Sequence, residues 1–319
     1  MNEVFGELLI HIGYHKTASS WLQQRIFTSK SKYFEPLSRR AKGPSTVARK
    51  FIYNDDKYML SPFDFNEEEI KKEVTDILSK RRKSKIYVIS NERLSGNPQS
   101  SGYDAEKIAY MLKRNFPTGK VLIIIREQKS FLYSIYFQYI SNGGTMSLEN
   151  YLNTKYDGKR PFFSPSYIDY LPLVSKYYSL YGEEKVLVLP YELFKSDPAM
   201  FFAKLGGFLN IKLDIDEKEY DVNINENISI SSRYYFRFLN IFLKSNSVNN
   251  YSIYSNKFTE FFSKKTLNIL EVIMPSWIDS YLEKKLKKTI LNFSNKRYTE
   301  SNLKLSKLIN LQLSKYNYE

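Results

Sequence analysis

The stretch LLIHIGYHKTASSW, residues 8–21, carries the strongest structural signal of the chain. Its apolar start predicts a buried strand that ends at Gly13. Small and hydroxyl-bearing residues follow over 16–20, and WLQQRI (21–26) is typical of a helix. Backbone amides in such a loop and the positive end of the helix dipole both favour an anion. The stretch therefore predicts a phosphate or sulfate cradle, and with it an enzyme that transfers an anionic group.

The composition is that of a globular protein with a core large enough for one α/β domain. The chain has 319 residues, 42% of them hydrophobic, and no apolar run approaches the ~20 residues of a membrane span. The acidic N-terminus lacks the features of a signal peptide. Cysteine is absent, which excludes disulfides and thiolate chemistry, and two histidines make a zinc site improbable. We expect a cytoplasmic protein that needs no metal.

The charge balance favours polyanionic partners. With 48 Lys and Arg against 34 Asp and Glu, the net charge is +14. This charge suits a multiply charged nucleotide, an acidic glycan or peripheral contact with an anionic membrane, although genomic base composition explains much of it equally well. The basic blocks 80–83 and 284–288 are typical of solvated helix ends. No basic stripe with interleaved aromatics and no helix-turn-helix signature occurs, so nucleic-acid binding is not expected.

The order of apolar runs and amphipathic stretches predicts an α/β fold: a P-loop-like, doubly wound parallel sheet flanked by helices, with a helical C-terminal region. We interpret residues 30–65 as an irregular substrate-side insertion and 142–166 as a mobile loop. No linker or repeat divides the chain, so one domain over 1–319 is expected. The predicted strands are 7–13, 86–90, 121–125 and 186–190, and the predicted helices are 66–82, 105–115, 167–180, 232–243, 266–273, 278–291 and 300–314.

Polar residues follow three of these strands directly. The Lys16 loop follows the first, Ser90-Asn91-Glu92-Arg93 the second, and Arg126 the third. In open α/β sheets, ligands bind outside the carboxyl ends of the strands. The three loops should therefore converge on one site.

Two of these segments resemble the nucleotide-binding elements of sulfotransferases. HIGYHKTASSWLQ is similar to their 5′-phosphosulfate loop, written H-I-G-x-H-K-T-G-T-T-x-x-Q in many bacterial members. The chain differs at Ala18, where Gly is usual, and has Ser19-Ser20 for the Thr pair. VLIIIREQKSFLYSIYFQYI (121–140) resembles the 3′-phosphate element, in which a strand ends in Arg and a Ser follows on a helix. Here these are Arg126 and Ser134.

Two further segments are similar to the family in a looser way. KVLVLPYELFKSDPAMFFAKLGGFLNI (185–211) resembles a strand-turn-helix element, in which Asp197 before Pro198 is a plausible helix cap. NENISISSRYY (225–235) is similar to a segment that reaches the nucleotide, which would assign Asn227, Ser229 and Arg233 to the cofactor.

The resemblance, to a bacterial and carbohydrate-directed type, implies a donor and a reaction. The donor is 3′-phosphoadenosine 5′-phosphosulfate (PAPS), its sulfuryl group passes in line to a hydroxyl or amine of an acceptor, and no metal is implied. The acceptor is expected to be a glycan. Two other classes stay open: an ATP-dependent small-molecule kinase, and a non-catalytic basic scaffold or membrane-surface protein.

The resemblance also implies roles for individual residues. Lys16 would neutralise charge on the leaving nucleotide, and Glu92 is the first candidate for the base that accepts the acceptor's proton, with His15 as the alternative. His11, inside the strand, is interpreted as structural. The 5′-phosphate would be held by the backbone amides of 17–21 and by nearby hydroxyls, which involves Thr17, Ala18, Ser19, Ser20 and Trp21.

Overall fold

The computed structural model describes residues 7–54, 60–80, 85–154, 163–215, 229–243, 248–249 and 275–319. Within these ranges, five parallel strands form one sheet in the order β2-β3-β1-β4-β5. The central strand β1 carries the Lys16 loop at its carboxyl end, so the loop leaves from the middle of the ligand-binding edge. The strands are β1 (Leu8–Gly13), β2 (Phe34–Pro36), β3 (Ile86–Ser90), β4 (Lys120–Ile125) and β5 (Val186–Pro190).

Helices follow the strands, as expected for parallel connections. The first, α1 (Ser19–Trp21), continues as a π-helix over Leu22–Ile26. Short 3₁₀ helices include Glu92–Ser95 after β3 and Leu313–Tyr316 near the end of the chain. The remaining helices are α2 (Thr46–Arg49), α3 (Glu67–Leu78), α4 (Ala105–Asn115), α5 (Gln128–Ser141), α6 (Leu148–Leu152), α7 (Tyr170–Tyr181), α8 (Tyr191–Ser196), α9 (Pro198–Leu209), α10 (Ile230–Leu243), α11 (Ser276–Ser294) and α12 (Thr299–Leu308).

The chain divides into two compact units. The first comprises Met1–Glu127, Ser166–Val222 and Thr299–Glu319 and contains the sheet. Its strands are continuous apolar runs because both faces are covered, which is the pattern of a parallel sheet. On one face, strand residues pack with the side chains of α1, α8 and α9, among them Leu9, Leu122, Ile124, Leu189, Trp21, Phe194, Phe201 and Phe202.

The second unit comprises Gln128–Pro165 and Asn223–Tyr298. Helix α5 packs against α10 and α11 there. The Asn240 amide of α10 donates to the carbonyls of Ile140 (2.8 Å) and Gly144 (3.0 Å), which satisfies the C-terminal end of α5. The hydrogen bonds fasten the two helices where α5 ends.

The predicted α/β fold is confirmed, with four strands and most helices close to their predicted bounds. The interpretation of 30–65 as irregular was wrong over Phe34–Pro36, which extends the sheet as β2 beside β3. Three residues are too few to show a strand pattern, and Pro36 is tolerated because β2 is an edge strand. The predicted loop 142–166 contains α6, and the predicted helix 266–273 lies outside the described residues. In the described ranges, no helix is long and apolar enough to cross a membrane.

Candidate functional site

The loop after β1 closes directly over the end of its strand. Gly13 allows this approach, because a Cβ there would lie 2.2 Å from Ser19 Oγ and 3.1 Å from Thr17 Oγ1. Thr17 Oγ1 donates to the Tyr14 carbonyl at 2.5 Å and braces the turn. Lys16 (φ 65°) and Ala18 (φ 61°) are both left-handed. Left-handed residues in a turn direct successive amides into an anion-binding concavity, and the first amides of the following helix add to it.

Side chains of the loop divide into exposed and buried sets. Lys16 and Ser20 are exposed, whereas Thr17 and Ser19 are buried. The Trp21 ring is also buried and lies 5.0 Å from the Phe194 ring, between centroids. Trp21 therefore anchors the helix in the core, and what it offers the loop is its backbone amide.

The segment after β3 meets the same loop. Asn91 Oδ1 accepts from the Arg93 amide at 3.0 Å and starts the 3₁₀ helix. Ser95 Oγ lies 2.8 Å from the Glu92 carbonyl oxygen and 3.3 Å from that of Gly13. Ser95 therefore links the backbone of Glu92 to that of Gly13, the last residue of β1.

A buried ion pair supports this segment. Arg93 Nη2 lies 2.9 Å from Asp104 Oδ2, and both side chains are at most one tenth exposed. Asp104 precedes the first turn of α4, so the pair ties that helix to the 3₁₀ turn. Sequence reasoning did not single out Asp104, because a lone acid before a helix is an ordinary cap and nothing in its spacing indicates Arg93.

Several buried polar atoms around this segment have no hydrogen-bond partner among the described residues: Glu92 Oε2, His15 Nε2, Arg93 Nη1 and Asp104 Oδ1. Buried polar groups in folded proteins are nearly always satisfied. These four atoms therefore suit a polar ligand or ordered water at the carboxyl edge of the sheet.

Both histidines are held neutral by burial. Desolvation lowers the pKa of His15 to about 3, and the charges of Arg93 and Lys16 act in the same direction. Desolvation also lowers the pKa of His11 to about 3, and its Nδ1 lies 2.8 Å from Ser90 Oγ. An imidazole with a pKa so far below neutral accepts protons poorly.

Arg126 joins the loops after β1 and β4. Its Nη1 donates to the Lys16 carbonyl at 2.9 Å. Its guanidinium carbon lies 5.1 Å from the centre of the Tyr191 ring, and Tyr170 donates to its carbonyl at 2.5 Å. The contact with the Tyr191 ring and the hydrogen bond to the Lys16 carbonyl together fix the direction of the Arg126 guanidinium. Nothing in the sequence around Tyr191 predicts this contact.

The Tyr191-Glu192 and Asp197-Pro198 pairs have structural roles. Glu192 accepts from the Glu127 amide (3.0 Å) and from the Tyr318 hydroxyl (3.0 Å), and burial raises its pKa. Asp197 accepts from the Met200 amide at 2.8 Å, and Pro198 occupies the first turn of α9. The sequence-based interpretation of Asp197 as a helix cap is confirmed by this geometry.

The other predicted nucleotide residues lie in the second unit or outside the described residues. Ser134 is half-buried on α5. Ser229 Oγ accepts from the Ser232 amide at 3.2 Å and caps α10, and the Arg233 guanidinium carbon lies 4.4 Å from the Phe137 ring centre. Asn227 lies outside the described residues. No group of three or more His, Cys, Asp or Glu in the described ranges could hold a metal ion.

Comparison with known proteins gives one family. A family model described as a sulfotransferase domain matches residues 8–289. No curated protein matches the chain.

The chain is also similar to solved structures. A sulfotransferase from Alicyclobacillus acidocaldarius is 16% identical, with a TM-score of 0.47 over 67% of this chain and 88% of the other. The sulfotransferase domain from the curacin biosynthetic pathway is 12% identical, with a TM-score of 0.40 over 70% and 80%. Mouse sulfotransferase SULT7A1 complexed with PAP is 16% identical, with a TM-score of 0.38 over 87% and 88%.

Proposed function

Since this chain belongs to the sulfotransferase family, we propose that it moves a sulfuryl group from PAPS to a hydroxyl or amine of a glycan acceptor. The observation that supports this most strongly is the anion cradle after β1. Its two left-handed residues turn the backbone over Gly13, and its Lys16 carbonyl accepts from Arg126. A cradle with one exposed lysine and a neighbouring guanidinium suits a ligand that carries two separate anionic groups.

The family resemblance assigns residues to each part of such a donor. The amides of 17–21 and the Thr17, Ser19 and Ser20 hydroxyls would hold the 5′-phosphate. Arg126 and Ser134 would hold the 3′-phosphate, and Asn227, Ser229 and Arg233 would complete the nucleotide site. When bound, PAPS supplies the sulfuryl group that the acceptor receives.

The chain's own groups account for the remaining chemistry. The exposed Lys16 ammonium would neutralise negative charge on the leaving oxygen, as preorganised cations do in phosphoryl-type transfer. Glu92, with one oxygen buried and without a partner in the described part of the chain, would take the acceptor proton. His15, which burial keeps neutral, would shape the loop next to Lys16. We further propose that 1–319 acts as one catalytic domain in the cytoplasm.

Calorimetric titration tests the donor site. The protein is titrated with 3′-phosphoadenosine 5′-phosphate (PAP) without metal, and separately with ATP and Mg²⁺. We expect PAP to bind and ATP to bind at least tenfold more weakly. Lys16→Ala should weaken PAP at least tenfold, about 1.4 kcal/mol, while Lys288→Ala, an exposed lysine on α11, should not.

Three outcomes would contradict the proposal. A preference for ATP with Mg²⁺ would move the chain to the kinase class. No binding of either nucleotide would favour the basic scaffold, and unchanged PAP affinity in Lys16→Ala would remove the cradle from the site.

A further inference from the structure

The first unit contains a cavity of about 400 Å³ whose purpose the donor site does not explain. Its volume falls within the range of pockets that hold small molecules. The lining comes from the residue after β1, from residues 95–106 and from residues 166–176 around the start of α7. All of these segments belong to the first unit.

The floor of the cavity is continuous with the anion cradle. Tyr14 follows Gly13 directly and is only 2% exposed, and its ring centroid lies 5.2 Å from that of Tyr167. Ser95 Oγ lies 3.2 Å from the Tyr167 hydroxyl and 3.3 Å from the Gly13 carbonyl oxygen. A molecule on this floor therefore lies beside the loop that carries Lys16.

One wall is a turn in unusual backbone geometry. Gly96 (φ 89°) and Gly102 (φ 66°) are left-handed, and so is Ser101 (φ 59°), although it is not glycine. A Cβ on Gly102 would lie 2.6 Å from Tyr167 Cδ2, and one on Gly96 would lie 2.7 Å from Gly102 Cα. A left-handed residue other than glycine, such as Ser101, is uncommon, and such conformations cluster at ligand sites. Because Gly102 has no side chain, the turn lies directly against the Tyr167 ring.

The rim combines an exposed aromatic face with fixed carboxylates. Tyr103 is 65% exposed. Glu106 Oε1 lies 2.7 Å from Lys176 Nζ, and that lysine also donates to the Tyr110 hydroxyl at 3.1 Å. Asp169 accepts a hydrogen bond from Ser301, which fixes the position of its carboxylate. The rim is therefore preorganised for a ligand with one apolar face and hydroxyl groups at its edges.

We propose that this cavity binds a sugar ring of the acceptor, with Tyr103 against the face of the ring and Glu106 and Asp169 accepting from its hydroxyls. Amphipathic aromatic side chains suit such a face, and carboxylates accept strong hydrogen bonds from hydroxyls. A sugar would use both the aromatic face and the carboxylate oxygens, whereas a purely apolar acceptor would use only the aromatic face. The acceptor role rests on the proposed sulfotransfer, whereas sugar binding itself does not.

Saturation-transfer NMR with three disaccharides tests the cavity. The probes are lactose, maltose and N,N′-diacetylchitobiose, with 4-nitrophenol as a competitor that lacks a sugar ring. We expect at least one disaccharide to receive saturation, at least fivefold less in Tyr103→Ala. Ala105→Phe, which narrows the cavity, should also reduce the signal. Tyr281→Ala is the matched control, since Tyr281 is 62% exposed and does not line the cavity.

The proposal is overturned if all three disaccharides are silent, if the signal persists in Tyr103→Ala and Ala105→Phe, or if 4-nitrophenol displaces the sugar. PAP titration of the same proteins separates this result from the donor site. PAP affinity should stay within twofold in Tyr103→Ala. Sugar binding in a protein that binds no PAP would support the cavity and contradict the sulfotransferase proposal.

Discussion

Ala18 is the residue at which the cradle departs from the family pattern, and its backbone explains why Gly is usual there. At φ 61° an L side chain meets the adjacent carbonyl, which costs roughly 1–2 kcal/mol. Ala18 O nevertheless accepts from the Leu22 amide at 3.0 Å, so the loop is held in this geometry by the helix that follows. The substitution keeps the shape of the cradle at a cost in stability.

Ala18→Gly should therefore stabilise the protein. We expect the free energy of unfolding to rise by about 0.5–1 kcal/mol, because relief of the left-handed strain exceeds the added entropy of the unfolded chain. Urea denaturation measures this change. Ala109→Gly in the middle of α4 is the control and should destabilise by about 1 kcal/mol or more. Destabilisation by both variants would show that Ala18 is not strained.

Arg126 is expected to distinguish nucleotides by their 3′-phosphate. Arg126→Ala should weaken the binding of PAP at least tenfold, about 1.4 kcal/mol. The binding of adenosine 5′-phosphate should weaken much less, because that nucleotide lacks the 3′-phosphate that the forked guanidinium would recognise. Calorimetric affinities for both nucleotides measure the difference. Arg25→Ala, an exposed arginine on the π-helix, is the control. Equal losses for the two nucleotides would show that Arg126 only supports the Lys16 carbonyl.

At the scale of the elements, the Arg93–Asp104 pair connects the turn after β3 with the start of α4. Its partners are buried, and desolvation opposes the charge of Arg93 while Asp104 favours it, with a net raised pKa for Arg93. A buried pair is costly to break, because the remaining charge has no compensation. The pair thus holds the turn that carries Glu92 against the start of α4.

Asp104→Ala should destabilise the protein by about 3–5 kcal/mol, since it leaves the Arg93 charge buried. Chemical denaturation gives the free energy of unfolding. The double variant Arg93→Met/Asp104→Leu removes both charges and should regain most of the loss. If the double variant is as unstable as the single one, packing of the turn rather than charge holds this segment.

For the whole molecule, the two histidines link stability to pH. Both have a pKa of about 3 when folded, against about 6.5 in the unfolded chain. Below pH 6.5 the unfolded state therefore binds protons that the folded state does not, and stability falls with pH down to about 3. Above pH 6.5 both states have neutral histidines, so the histidines no longer reduce the free energy of unfolding.

As the pH falls from 7 to 5, we expect each histidine to lower the free energy of unfolding by roughly 2 kcal/mol. Denaturation at several pH values measures the total. Because the chain has only two histidines, NMR follows each imidazole directly. Neither ring should titrate between pH 8 and pH 5 in the folded protein, and a titration midpoint near 6.5 would contradict the burial of that histidine.

The local sequence was sufficient for four of the five described strands and for the position of the Lys16 loop. Buried parallel strands are uninterrupted apolar runs, and Gly13 marks where one ends, so β1, β3, β4 and β5 are legible without a structure. The order of strands and helices then places the Lys16, Glu92 and Arg126 segments at one edge. Strand β2 was not predicted, because three residues are too few to show a pattern of apolar and polar positions.

The contacts that shape the site depend on tertiary structure. Arg126 to the Lys16 carbonyl, Arg93 to Asp104, and Tyr14 with Tyr167 on the cavity floor join residues that are far apart in the chain. Burial of His15, and with it the loss of its basicity, depends in the same way on what packs around it. Periodicity records which face of an element is apolar, whereas desolvation and charge pairing depend on the neighbours that only the folded chain supplies.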